Sequence, residues 1–468
     1  MRPHLLLVCL LAGQMALPAQ AGEPPVLLPP EQLVERVDAL ARQALEHPAA
    51  VGLSVAVGIG EDVILERGYG LADLEYGIPA DHETMFRIAS ITKQFTAAAI
   101  MRLVEEGRLS LDDTISEVLP RHEFPGPDVT IRHLLDHTSG IKSYTAEPRF
   151  FAEGASRHLT ASQLLEFVRD APRQFEPGEK AEYNNTAYYL LGLIVEELSF
   201  QSYDSFLRME FFERLGLSRI RFDDAREIIP NRARGYAVGG SGLLHAMTWV
   251  PRNAGGAGGM ISSAGDLVRW QIALVNGRVV TEESYTRMRT HSRLNSGDST
   301  QFGFGLVMGT FEGQPVVDHS GGIFGFNSML MYLPHQKLSV AVISNSETIA
   351  SRELAHNIVR AALDIAPIVV EDLSVPEELL ERFAGTYHIE SIDLKLRLYP
   401  RDDRLIIHAT GQMAMPLQYQ GNGVFRLEID PSFRLSFPVT DNGPADSFRL
   451  LQAGLSLQGV RMASDTDR

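Results

Sequence analysis

The chain is almost without cysteine. Its 468 residues contain one, Cys9, and that one lies in a leader expected to be removed. A mature chain without thiols excludes disulfides, thiolate metal sites and cysteine nucleophiles in one step. Metal signatures are missing too: there is no His-Glu-x-x-His and no cysteine pair. The glycine cluster Gly255-Gly256-Ala257-Gly258-Gly259 lacks both the lysine of a phosphate loop and the Rossmann spacing. It reads as close backbone packing, and no metal or cofactor is expected. Basic runs are also missing. Acidic and basic side chains are interspersed at a net charge of −17. Nucleic acid is therefore not expected as a partner, because phosphate neutralisation needs clustered Lys and Arg.

No apolar run is long enough to span a bilayer. The run Leu5 to Ala12 follows Arg2 and precedes Ala19-Gln20-Ala21, the pattern of an export signal cleaved to leave Gly22 at the start. Residues 1–21 are expected to be this signal, and the protein to be exported, periplasmic or secreted. No stop-transfer run follows, so no stable membrane anchor is expected. Val8 before Cys9 does not suit a lipid-modified cysteine.

What is present suits a soluble globular protein: 44% hydrophobic and 22% charged residues. At roughly 150 residues per domain the length suggests about three units. Helical periodicity runs over 31–46, strands over 51–59 and 63–70, and a mostly apolar helix over 91–106. The middle third carries helical spacing at 129–135, 161–168, 186–198, 203–215 and 264–275. Strands return at 316–319, 327–333 and 337–344, with a closing helix at 354–363. Strands at both ends with helices between predict an α/β fold. Its mainly antiparallel sheet is flanked by helices and carries a helical subdomain, over residues 22–366. Past a linker near 366–376, short alternating strands predict a small all-β domain over 377–468.

Three short motifs carry the candidate chemistry. Ser90-Ile91-Thr92-Lys93 sets a hydroxyl and an ammonium three apart, on one helix face. A serine hydroxyl is a weak nucleophile until an adjacent base takes its proton. The plainer reading makes Ser90 a helix cap. Tyr183-Asn184-Asn185 precedes a helix, and Asn185 would suit its cap. Tyrosine and lysine have similar reference pKa values, about 10 and 10.4, so either Lys93 or Tyr183 suits the relay of the Ser90 proton. Asn185 offers an amide to orient Lys93 and bind a substrate carbonyl. His319-Ser320-Gly321 ends a strand whose edge would align a substrate by strand-like pairing. The N–H groups of Ser90 and Gly322 would form an oxyanion hole, each donor worth about 3–4 kcal/mol in acyl transfer. His137 reads as structural, with Gly140 shaping a turn under the site.

Ser-x-x-Lys, then Tyr-x-Asn, then His-x-Gly resembles the penicillin-recognising serine hydrolases, more narrowly class C β-lactamases, DD-peptidases and related esterases. The stretches 86–90, 134–140, 258–267 and 319–322 match as well, so the likeness covers about residues 35–365. It implies an acyl-enzyme on Ser90, with Lys93 and Tyr183 handling protons, and a small-molecule or peptide substrate. Tyr183-Asn184-Asn185 stands where class A enzymes carry Ser-Asp-Asn. His319 stands where β-lactamases mostly carry lysine; at neutral pH a histidine is mostly uncharged unless shifted. The expected enzyme is therefore of the carboxypeptidase, esterase or D-aminopeptidase kind. A true class C-type β-lactamase and a non-catalytic sensor are the alternatives. The strands beginning Phe383-Ala384-Gly385-Thr386-Tyr387 resemble a lipocalin-like appendage.

Overall fold

The computed structural model of the chain describes residues 25–120, 128–239, 242–366, 373–390, 394–409, 414–427, 430–438, 443–452 and 455–462. The expected signal lies outside the described residues. One compact unit ends at Ile365 and a second begins at Ala366.

The first unit is built on a seven-stranded antiparallel sheet. In chain order its strands are β1 (Gly52–Ile59), β2 (Asp62–Asp73), β3 (Ile78–Pro79), β4 (Val307–Phe311), β5 (Gln314–Ile323), β6 (Phe326–Leu333) and β7 (Leu338–Ser344). Their order across the sheet is β3-β2-β1-β7-β6-β5-β4. Strands from both ends of the unit meet at its centre, where β1 pairs with β7 from Leu53↔Ser344 to Ile59↔Leu338.

Alternation along the central strands separates two cores. Leu53, Val55, Val57, Met329, Met331, Val340 and Val342 join Leu33 and Val37 of helix α1 (Pro30–Ala44) and Ile358 of a late helix. Ala56, Leu330, Ala341 and Ile343 face the other way, into the larger core with the helical region. That face is lined with small residues for a reason. A Cβ on Gly58 would press into Val268 and Ile272, so a short side chain lets a helix lie close on the strand.

The helical region holds α2 (Thr92–Glu105), α3 (Asn185–Ser199) and α4 (Ala264–Val275), with α5 (Ser351–Ala362) closing the unit on the opposite face. Helix α2 is buried nearly all round, as its apolar composition requires. Two expected helices differ. The stretch 161–168 is α-helical only over Ala161–Leu165. The stretch 203–215 passes through a π-helical turn at Arg208–Phe212. Strand β4 was not expected; Gly309 interrupts its pattern. A three-stranded sheet of Phe86–Arg87, Met260–Ser262 and Ile220–Phe222 was not expected either.

The second unit is a closed eight-stranded antiparallel barrel running from Gly385–Ile389 to Leu455–Arg461. Phe383, Tyr387, Phe425, Phe437 and Phe448 pack its interior. Arg461 on the last strand donates to the carbonyls of Ala384 and Ala445, both at 2.6 Å, and lies over the Tyr387 ring. It ties the two ends of the barrel together.

Candidate active site

Ser90 is not a helix cap. It lies in a 3-10 turn, Ala89–Ile91, and α2 starts only at Thr92, with Ile91 at the cap position and no side-chain cap bond. Ala89 has φ +45°, the left-handed region that a non-glycine residue adopts at a cost. The turn is braced from three sides. Ile88 donates its N–H to Met260 O at 3.1 Å. The Ile88 carbonyl accepts from Ser328 Oγ at 2.8 Å. Gly321 on β5 lies so close that a Cβ there would strike Ile88 O and come within 3.0 Å of Ser90 N. A glycine is required at that crossing.

Lys93 sits one helical turn on, with no solvent exposure. Its Nζ is 3.3 Å from Ser90 Oγ and 2.8 Å from both Asn185 Oδ1 and Ala257 O. Burial holds its pKa well below the ordinary lysine value, because an ammonium loses hydration it cannot replace. The neutral amine is thus favoured, and a neutral amine beside a hydroxyl is a base. The Ala257 carbonyl reaches Lys93 because the glycine turn packs tightly against α3. A Cβ on Gly256 would lie 2.8 Å from Tyr188 O and 3.2 Å from Gly192 Cα.

Tyr183 places its ring 4.6 Å from Lys93 Nζ. The His137 ring packs against it in a tilted arrangement, with centroids 4.7 Å apart. His137 holds the segment in two ways: its Nδ1 accepts from Asn184 N–H at 3.1 Å, and its carbonyl accepts from Glu182 N–H at 2.9 Å. Burial keeps that imidazole neutral, well below its usual pKa, as an accepting nitrogen must be. The α3 cap is Asn184, whose Oδ1 accepts from Ala187 N–H at 2.9 Å, and not Asn185 as expected. Asn185 is left to face Lys93, and its Nδ2 donates to Thr145 Oγ1 at 2.8 Å.

The third segment is the end of β5. Strand β4 pairs with β5 only as far as Asp318↔Val307. Beyond it, no strand among the described residues covers that edge from His319 to Ile323. His319 lines up with Leu330 on the core face, with its ring 6.1 Å from that of Tyr183. Its Nδ1–H donates to Ser320 O at 2.7 Å, leaving Nε2 with its lone pair. Burial pushes its pKa to about 3, so it is neutral near pH 7. Ser320 alternates to the other face, where its Oγ accepts from Arg352 of α5 at 2.8 Å. Gly322 is open: a Cβ there would meet no atom within 4 Å among the described residues. Arg352, Thr145 and Ser328 were not anticipated. Each acts through a contact with a distant segment, and none belongs to a local motif. No cluster of metal-ligating side chains occurs among the described residues.

The family model described as Beta-lactamase matches residues 37–364. Penicillin-binding protein 4* of Bacillus subtilis is 29% identical over 438 residues, 87% of this chain and 94% of that protein. The octameric penicillin-binding protein homologue from Pyrococcus abyssi superposes with a TM-score of 0.66 at 28% identity, covering 91% of this chain and 99% of the other. D-amino acid amidase from Ochrobactrum anthropi SV3 gives 0.62 at 26% identity, covering 70% and 98%. With the family model spanning most of its length, the chain belongs to the Beta-lactamase family and is a serine hydrolase of that kind.

Proposed function

We propose that the protein is an exported hydrolase that cleaves amide or ester bonds through an acyl-enzyme on Ser90. The observation that carries this is the buried Lys93 amine, 3.3 Å from Ser90 Oγ and fixed by Asn185 and Ala257. Neutral Lys93 takes the Ser90 proton as Oγ bonds to the substrate carbonyl carbon. The N–H groups of Ser90 and Gly322 receive the oxyanion. As the tetrahedral intermediate collapses, the leaving amine or alcohol takes a proton from Lys93, directly or through Tyr183. Water, deprotonated by the same pair, then frees the acid and regenerates Ser90. The uncovered edge at 319–323 receives the substrate backbone. Asn185 orients the base and contacts the substrate.

The substrate class follows from His319. It is neutral, so it holds no fixed charge for a β-lactam carboxylate. This favours esters, and amides such as those that the name of the similar D-amino acid amidase implies, over cephalosporins. The decisive experiment is fluorophosphonate labelling read by intact mass. It is run beside turnover of D-amino-acid amides, D-Ala-D-Ala peptides, a nitrophenyl ester and a chromogenic cephalosporin. Ser90→Ala should abolish labelling and turnover; activity kept by that variant removes Ser90 from the chemistry. Fast cephalosporin hydrolysis by the wild type would instead favour the β-lactamase reading. Under the present reading, His319→Lys should raise cephalosporin turnover relative to the neutral ester.

Export rests on residues 1–21, and a mature N-terminus at Gly22 would support it. No helix among the described residues is long and apolar enough to cross a membrane. The C-terminal barrel is read as a lipocalin-like appendage. Its interior is filled by aromatic rings, which favours a stabilising role over a ligand-carrying one.

A further inference from the structure

The substrate edge proposed above would have two walls, and a group of aromatic rings that the acyl chemistry does not use joins them. One wall starts at Asn185, whose amide is held by Thr145. Six residues on, Phe151 presents a half-buried ring. The other wall is the uncovered end of β5, and two residues past the open Gly322 comes Phe324. Phe324 and Gly325 form the two-residue turn between β5 and β6. Gly325 has φ +77°, and its N–H donates to Glu347 Oε1 at 2.9 Å, so the turn is fixed. The Phe151 and Phe324 rings meet edge to face with centroids 6.2 Å apart. The Trp249 ring backs both, 6.2 Å from Phe151 and 5.9 Å from Phe324. Segments from three parts of the chain thus bring apolar rings together two residues past Gly322.

The geometry points to Phe324, Phe151 and Trp249 as a specificity wall for a bulky apolar side chain on the part of the substrate that projects beyond Gly322. An aromatic side chain there gains ring contacts and sheds water; a methyl group leaves the wall uncovered. This inference rests on the reading of 319–322 as the substrate edge. The preferred substrates would be amides or esters of aromatic or large aliphatic amino acids.

The test measures binding, so that it does not depend on turnover. Ser90→Ala is titrated with phenylalaninamide and with alaninamide, each as both enantiomers, following tryptophan fluorescence and calorimetry. The chain has two tryptophans; Trp270 packs on Phe95 and Phe211 and Trp249 on Phe151 and Phe324, so Trp249 is the reporter at the wall. Phenylalaninamide of the accepted enantiomer is expected to bind at least about tenfold more tightly than alaninamide. Adding Phe324→Ala or Phe151→Ala should bring the two within about threefold of each other. Should Phe324→Ala fail to fold, as judged by its melting curve, Phe324→Leu serves; it should keep a reduced preference for phenylalaninamide. Equal binding of the two amides, or a preference untouched by Phe324→Ala, would overturn the wall. Fluorophosphonate labelling of the wild type separates the two readings. No labelling would sink the acyl-enzyme proposal and leave the wall to stand on its binding ratio.

Discussion

Lys93 Nζ donates to Asn185 Oδ1 at 2.8 Å, joining residues 92 apart in sequence. The neighbouring Asn184 spends its side chain on the helix cap instead. Adjacent asparagines therefore divide function from stability. Asn185→Ala should slow labelling of Ser90 at least about tenfold, by loosening the amine that must face the hydroxyl, with little change in melting temperature. Asn184→Ala should cost about 1 kcal/mol of stability through the lost cap. Thermal melts and labelling rates on both variants check this; equal melting losses would refute the division of roles.

The pH profile should be set by Lys93 and not by histidine. Burial holds the lysine pKa well below its usual value, so kcat/KM should climb as pH rises through that lowered pKa. The limb should lie below the ordinary lysine value of about 10.4. His319, pushed to about 3, is neutral across the working range and should add no limb near 6.5. A limb near 6.5 that disappears in His319→Gln would show that the imidazole titrates after all.

Gly321 and Gly322 should respond oppositely to a methyl group. Alanine at 321 drives its Cβ into Ile88 O and to within 3.0 Å of Ser90 N. It should shift the nucleophile and lower kcat by about a hundredfold. Alanine at 322 meets no neighbouring atom within 4 Å among the described residues, so the fold should accept it, and any loss should appear in substrate binding. Melting temperatures and a kcat-against-KM comparison distinguish the two.

His356 should make the fold acid-sensitive. Its ring stacks on Phe311 at 4.4 Å. Burial, then the charges of Arg352 and Arg360, push its pKa to about 3. Between about pH 3 and 6.5 the unfolded chain binds a proton that the folded chain refuses. Stability then falls with falling pH, by at most about 1.4 kcal/mol per unit. Asp136, pushed up to about 6 by burial, works in the opposite sense between about 3.9 and 6. His356→Phe leaves Asp136 in place, so the difference between the two proteins isolates the histidine. Melting temperatures from pH 7 to 4.5 should fall more steeply in the wild type; parallel curves would refute the assignment.

The long elements were legible because their signals are local. Strands β1 and β7 are mostly apolar, since both of their faces are buried, and α2 is mostly apolar for the same reason. The two- and three-residue strands Phe86–Arg87, Ile220–Phe222 and Met260–Ser262 are too short to show a period. At the site, Ser90, Lys93, Tyr183 and His319 were legible from short motifs in a fixed order. Which asparagine caps α3 was not, because both suit the cap and only the fold decides which one turns toward Lys93. Arg352 was hidden for a similar reason. With His356 and Arg360 it repeats every four residues on α5, and nothing local tells that this row meets Ser320, Phe311 and Glu312.

The pairing of Leu53 with Ser344 carries a consequence for biogenesis. A ribosome delivers β1 early, yet its second neighbour arrives only after roughly 290 further residues have been made. Until then the strand has an open flank, prone to pairing with another nascent chain. Truncation ahead of residue 338 should therefore yield aggregate, and refolding from denaturant should be slow, limited by that long-range closure.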